Sequence, residues 1–352
     1  MRGLVAVVAA LGLAATACSS PKGGALPRVV DTSAPKTSTT APAAVAPLTG
    51  LAVFNPDVAA RPAVMVKIGD DPKARPQAGL DKADVIYEER VEGNTVRFLA
   101  VFQSQDAKSV GPIRSVRSTD VGVVGAIGGV FVYSGGIPSF DALARRQGVT
   151  VISEEAQSDA FNLRPDRQRP YKTYGNTAQL RSLATGATRP PALFNFLAPG
   201  EAFTAVSAAP ASRATVTFGP GTVVRWDWDA AAGKWKRSIN GVAHKTDAGA
   251  QLAFTNVILQ TVPYRSTPFK DQSGAGVDEA VTTGTGDAVL LTAGQRVPLR
   301  WSKQSDRTAT SFTDPTGRTA RVPSGQTWVV LVPKGSAVDI ANSAATASQP
   351  PQ

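Results

Sequence analysis

The densest concentration of residues able to do chemistry is the run Gly111-Pro112-Ile113-Arg114-Ser115-Val116-Arg117-Ser118-Thr119-Asp120. Two guanidinium groups three residues apart, with hydroxyls around them, precede a Val/Gly-rich stretch able to start a helix. Guanidinium forks and hydroxyls at a helix N-terminus suit a phosphate or a carboxylate. The competing reading is structural: Arg114 and Arg117 pair with Glu88, Glu92 or Asp120, and the sequence weighs the two readings equally. Upstream, Val85 to Glu92 and Thr95 to Gln103 alternate around Gly93-Asn94, the pattern of a hairpin with a two-residue turn. In that register one strand face carries Val85, Tyr87, Val91, Val96, Phe98 and Phe102, with Glu89 as the exception. The other face carries Glu88, Arg90, Glu92 and Arg97, so that Arg97 is diagonal to both Glu88 and Glu92. Gly135-Gly136, between a strand and a helix start, is either a tight turn or a place where backbone amides face an anion. The expected ligand-binding set is therefore Glu88, Glu92, Arg97, Arg114, Arg117, Gly135 and Gly136.

Other chemistries find less support. There is no phosphate-binding loop ending in Gly-Lys-Ser/Thr and no dinucleotide glycine fingerprint, so neither ATP nor NAD is expected, and no cofactor is assigned. The single histidine, His244, stands three residues before Asp247. It could shuttle a proton, but zinc needs three or four ligands and the chain has no second His and one Cys, so no metal site is expected. No Gly-x-Ser-x-Gly elbow is present to pair with it, and a structural role is the preferred reading of His244. Glu88 and Glu92 could do acid–base work on a glycan, but Arg97 beside them would keep both ionised. The loop Asn162 to Tyr174 interleaves Arg164, Arg167, Arg169 and Lys172 with Tyr171 and Tyr174; a solvated basic loop is preferred there over a polyanion site. Base readout needs more than this, so nucleic acid is not an expected partner.

The elements that must position these residues follow from composition. At the N-terminus, Met1-Arg2 and the apolar stretch Gly3 to Leu13 lead to Ala14-Ala15-Thr16-Ala17-Cys18, a charged, apolar and small-residue sequence of signal-peptide type. A small-residue box ending in Cys is the mark of a bacterial lipoprotein: residues 1–17 would be removed and the Cys18 thiol would carry an acyl lipid such as palmitate. The apolar stretch is too short to span a bilayer. Cys18 is the only cysteine, so no internal disulfide can form. Residues 18–46, rich in Ser, Thr, Pro and Ala, read as a disordered tether, and 335–352 as a disordered tail. Residues 47–185 mix strands (Ala63 to Ile68, Val130 to Tyr133) with helices expected from Phe140 to Gln147, capped by Ser139, and after Asn176. This is an α+β or α/β domain. Residues 186–212, with Pro190-Pro191 and Pro199-Gly200, read as a linker, and 213–334 as a mostly-β domain of sandwich or barrel type. Net charge is +10, suited to anionic lipid headgroups or wall polymers.

The order of motifs carries a resemblance. Lys73-Ala-Arg75-Pro-Gln-Ala-Gly79-Leu-Asp-Lys-Ala-Asp84, Tyr87-Glu88 through Glu92-Gly93 to Arg97-Phe98, Gly111 to Arg117 and Tyr133-Ser-Gly135-Gly136 resemble the YerB-like family of bacterial lipoproteins. So do His244, Asp247, Gln251, Asn256-Val257-Ile258 and Pro323-Ser-Gly325-Gln-Thr-Trp328. The resemblance spans roughly residues 48–333 and implies an N- and a C-terminal domain, both of unknown function. Where that family shows Ala-Pro-His-Asn, this chain has Arg169-Pro170-Tyr171-Lys172, which favours binding over catalysis. The leading expectation is a non-enzymatic lipoprotein, anchored to the cell membrane on its extracytoplasmic side, that binds an anionic envelope ligand such as a cell-wall polymer through the Arg/Glu cluster. The alternatives are a hydrolase or transferase on an envelope glycan or phosphodiester, using Glu88 or Glu92, and a protein–protein adaptor with an exposed apolar patch on the β domain.

Overall fold

The computed structural model describes residues 44–341, apart from 199, 272 and 273. The signal-peptide assignment, Cys18 and most of the tether lie outside the described residues. The first segment supplies strands β1 (Val64–Gly69), β2 (Val85–Arg90), β3 (Val96–Phe102), β4 (Val130–Tyr133) and β5 (Thr150–Ser153). Its helices here are α1 (Ser118–Ile127), α2 (Pro138–Arg145) and α3 (Thr177–Ser182). The remainder is mostly β: β6 (Ala209–Pro210), β7 (Arg213–Gly219), β8 (Thr222–Asp229), β9 (Lys234–Ile239) and β10 (Val242–Ala243) come first. Then follow β11 (Asn256–Val262), β12 (Gly284–Thr292), β13 (Gln295–Lys303), β14 (Thr327–Pro333) and β15 (Val338–Ala341). A mixed segment followed by a mostly-β one is the fold class that the sequence predicts.

The two segments nevertheless build one sheet. An eleven-stranded sheet runs β6-β13-β12-β11-β14-β2-β3-β1-β4-β5, with Ser311–Thr313 on β13. The join is β14, which lies parallel to β11 on one side and to β2 on the other. All seven of its residues are buried, as a parallel strand covered on both faces must be, and its sequence Thr-Trp-Val-Val-Leu-Val-Pro is accordingly apolar almost throughout. The six-stranded sheet β10-β9-β8-β7-β15, with Ala253–Phe254 on β9, packs on one face. Between the sheets the Trp328 ring meets the rings of Phe98, Trp226 and Phe254 edge-on at 5.0, 5.1 and 5.1 Å, the preferred aromatic geometry. On the other face α1 and α2 bury Val123, Val124, Ile127 and Phe140 with Met65, Leu99, Val101 and Phe131 of the sheet.

Several boundaries differ from expectation. Within 186–212, Asn195–Phe196 pairs with Arg321–Val322 and β6 pairs with β13, while Leu193, Phe194 and Leu197 are buried. Scattered apolar residues anchor this stretch despite its Pro/Ala/Ser content. The tail begins with a strand, since β15 pairs with β7, and Ala44–Val45 pairs with Ala52–Val53 before residue 47. Helix α2 starts at Pro138 with no side-chain cap from Ser139 and ends at Arg145. Pro suits the first helical position because the missing N–H would be unpaired there anyway. The β2–β3 loop is Glu92-Gly93-Asn94, closed by Val91 N–H donating to Thr95 O at 2.9 Å. Gly93 and Asn94 take left-handed φ of 67° and 55°. One extra loop residue slips the register by one, which reverses the faces of one strand against the other: Glu88 is opposite Phe98, and Glu89 opposite Arg97. Glu88 and Arg97 therefore point to opposite faces of the sheet.

Glu88 is wholly buried between the sheets. Its carboxylate accepts from Arg237 Nη2 at 2.6 Å and from Trp328 Nε1 at 2.7 Å. The Arg237 guanidinium also meets Asp70 at 3.3 Å, lies 5.1 Å from both the Phe98 and Trp328 ring centres, and donates to His244 Nδ1. Because an arginine can only donate, Nδ1 accepts and the imidazole proton sits on Nε2, where it reaches Gln77 Oε1 at 2.7 Å. Gln77 in turn donates to Gly69 O and Asp70 Oδ1 at 2.9 and 2.8 Å. Burial, opposed by Asp70 and aided by Arg237 and Arg75, pushes the His244 imidazole down to about 3. Burial likewise pushes the Glu88 carboxyl up, against the pull of Arg237. Burial raises the Asp70 carboxyl, but the charges of Arg237 and Arg75 and the Arg75 hydrogen bond work against it, and it ends below its ordinary value.

Two predictions follow from this join. Arg237→Ala leaves the buried Glu88 without its cation and Asp70 with only Arg75, and should cost about 3–5 kcal/mol in urea unfolding, whereas Arg300→Ala, at an exposed pair with Asp287, should change the midpoint little. His244, being neutral when folded and basic when unfolded, makes the unfolded state the better proton acceptor between about pH 6.5 and 3. Its contribution to stability is thus complete above pH 6.5 and falls with acidification by up to about 1.4 kcal/mol per pH unit. The one imidazole proton signal should stay at its neutral shift from pH 8 to 5 in the folded protein and titrate normally in urea; a folded-state midpoint near pH 6.5 would contradict the buried assignment.

Candidate functional site

A cleft of about 640 Å³ opens at the carboxyl ends of β4 and β5, the edge where α/β sheets place their ligands. Its floor is Ser134-Gly135-Gly136-Ile137, which carries the chain from β4 into α2. One wall is the segment before α1: Ser134 N–H donates to Arg114 O, and Val116 N–H to Gly135 O, each at 3.0 Å. The other wall follows β5, where Glu154 N–H donates to Tyr133 O at 3.1 Å. Arg97, Arg114, Arg117, Gly135 and Gly136, five of the expected residues, all line this cleft. Glu88 does not, and Glu92 is tied to it only through Arg117.

The two arginines of the Gly111–Asp120 run divide between the two readings of the sequence. Arg117 is structural: its Nε and Nη2 donate to the Glu92 carboxylate at 2.7 and 2.9 Å. Burial raises the Glu92 carboxyl, but the hydrogen bonds and charge of Arg117 outweigh it and hold the pKa below the ordinary value. The Arg117 backbone N–H donates to Asp120 Oδ2 at 2.8 Å, which fixes the start of α1. Asp120 Oδ1 is held at 2.7 Å by Lys67 Nζ, a fully buried lysine of β1 that also donates to Glu89. Glu89, the exception in the sequence pattern, is thus the buried partner of Lys67 beneath α1.

Arg114 and Arg97 have no carboxylate within salt-bridge distance among the described residues. The Arg114 stem lies over Gly69, where a Cβ would come within 2.7 Å of Cγ. Its guanidinium stacks 5.2 Å from the Tyr171 ring centre and its Nε is buried without a partner. Arg97 reaches only Ser115 O, at 3.1 Å. Burial first, then the positive charges of Arg117 and Arg114, push it down to about 9. The two glycines serve close approach rather than a turn, since neither has a positive φ. A Cβ on Gly136 would stand 2.5 Å from Val116 Cγ1, and one on Gly135 would overlap the Glu155 carboxylate. Neither amide donates to a protein acceptor among the described residues.

The remaining basic candidates are held in ion pairs or by backbone carbonyls, although Arg169 also lines the cleft. Arg164 pairs with Asp166 and Asp247 at 2.8 and 2.9 Å, Arg167 donates to Lys73 O and Pro76 O, and Arg169 meets Glu154 at 3.0 Å. Asp247 is therefore occupied by Arg164, and His244 lies in the buried join. Sequence reasoning missed Glu155, Ser134 and Lys270, which also line the cleft; the position of Glu154-Glu155 just past a β-prone run was the available signal. It also passed over Lys67, a lone charge in an otherwise apolar strand.

Residues 48–189 match the family described as protein of unknown function (DUF3048), N-terminal domain, and residues 214–329 match its C-terminal domain. Over 306 residues the chain is 28% identical to the Bacillus subtilis (strain 168) protein named "Putative lipoprotein YerB", with 84% of this chain and 88% of that one covered. The crystal structure of YerB from Bacillus subtilis superposes with a TM-score of 0.72 at 24% identity, covering 84% of this chain and 99% of that one, which shows a shared fold. With both domains present and in order, the chain belongs to the DUF3048 family, the YerB-like family that its motifs resemble.

Proposed function

We propose that the protein is an envelope lipoprotein that binds an anionic ligand, a phosphate- or carboxylate-bearing wall polymer, in the cleft between α1, α2 and the β5 loop. The observation that carries this reading is the pair Arg97 and Arg114: two guanidinium groups face one cleft and neither has a carboxylate. Partly buried like charges repel and lose hydration, and an anion between them offsets both costs. The Gly135 and Gly136 amides on the floor add neutral donors of the right kind. Anchoring through an acyl chain on Cys18, with the folded part facing outward, rests on the leader sequence and on the lipoprotein name of the Bacillus relative. No helix among the described residues is long and apolar enough to cross a membrane.

The catalytic alternative through Glu88 and Glu92 has no geometric support, since Glu88 is sealed between the sheets and Glu92 is spanned by Arg117. Nor does an apolar patch favour the adaptor. Of the large apolar side chains exposed in the second segment, Val242 and Val338 lie on opposite edge strands of the smaller sheet.

Binding of the protein to isolated cell-wall fractions at low and high salt tests the proposal. Charge-assisted contacts of about 1.5–3 kcal/mol imply that Arg114→Gln should weaken saturable binding about ten- to a hundredfold. Arg300→Gln removes the same charge from an exposed pair outside the cleft and should leave binding within about twofold. Equal losses in both variants would mean that net charge alone holds the protein to the wall.

A further inference from the structure

The cleft has two poles. Arg114 and Arg97 belong to the wall beside Gly135, and Glu155 stands on the wall beyond it, with its carboxylate over the Gly135 Cα. Glu155 has no salt-bridge or hydrogen-bond partner among the described residues. Its neighbour Glu154 is satisfied by Arg169 at 3.0 Å and by the Thr173 hydroxyl at 2.8 Å. Gly135 is what lets this carboxylate lie on the floor, because any side chain there would displace it. A volume of about 640 Å³ is the size of a small-molecule site rather than that of a single ion. A purely anionic polymer laid across the floor would meet Glu155 and be repelled, whereas a ligand carrying an ammonium beside its phosphate would satisfy both walls.

Resting on the anion-binding reading above, we propose that the cleft selects an aminoalkyl phosphate: the phosphate lies against Arg114 and Arg97 and the protonated amine against Glu155. Glu155 is exposed, so its contribution is at most that of a good solvent-accessible pair, about 0.7–1 kcal/mol or three- to fivefold in affinity.

The test is calorimetric titration of the intact protein at pH 7 with phosphoethanolamine and with glycerol 3-phosphate. Phosphoethanolamine carries less net negative charge, so attraction to a basic protein alone would favour glycerol 3-phosphate. The proposal expects the reverse, a three- to fivefold preference for phosphoethanolamine. Glu155→Gln should bring the two within about twofold, chiefly by weakening phosphoethanolamine, and Arg114→Gln should weaken both. A wild-type preference for glycerol 3-phosphate, or a preference that survives Glu155→Gln, overturns the bipolar site and leaves the anion site standing. Binding of neither probe, or no effect of Arg114→Gln on either, overturns the anion site itself.

Discussion

Strand β14 has to satisfy two parallel ladders at once, with β11 of its own segment and with β2 from the beginning of the chain. Each of its buried backbone groups must find a partner in one ladder or the other, so the two segments are held in one register by main-chain geometry before any side chain is considered. The side chains then add direction. Trp328 leaves β14 on the face of the smaller sheet, where its indole N–H holds Glu88 and its ring lies beside Arg237. Charge from the first segment is thus neutralised by charge from the second within an apolar layer. Removing one partner there leaves an uncompensated ion rather than a lost contact.

The cleft inherits its shape from the same sheet on its other face. The parallel order β1-β4-β5 brings three carboxyl ends side by side; the segments after β4 and β5 become the floor and one wall, and the segment before α1 the other. Lys67 in β1 anchors Asp120, Asp120 anchors the Arg117 amide, and Arg117 anchors Glu92. This chain of bonds fixes the backbone on which Arg114 stands while drawing off the positive charge of Arg117. The Arg114 guanidinium is left outside this network.

Composition and motif order made the fold class legible, because short β-prone runs and the apolar Trp328 strand carry their own pattern. For the candidate site, the Gly111–Asp120 run, Arg97 and the glycine pair were singled out by residue type, and the structure brings residues of all three to one cleft. Glu88 was misplaced for a definable reason. Whether Gly93-Asn94 makes a two- or a three-residue loop changes nothing in the local pattern of either strand, yet it reverses which faces meet. Glu89 disclosed the slip, since a charge on a supposedly apolar face needs a partner, but that partner, Lys67, lies on a strand whose neighbours no local pattern identifies. The division of labour between Arg114 and Arg117 was likewise out of reach, because it depends on which one Glu92 reaches.

The position of β14 has a consequence for how the molecule comes into being. A chain emerging from its N-terminus presents β2 early, but the neighbour that covers that edge arrives only with residues 327–333, long after it. Until then one edge of the growing sheet is open to any passing strand, and closing it requires segments far apart in the chain to find each other, a slow kind of encounter. Removing residues 327–333 would leave β2 without its neighbour and the early half of the sheet with an open edge.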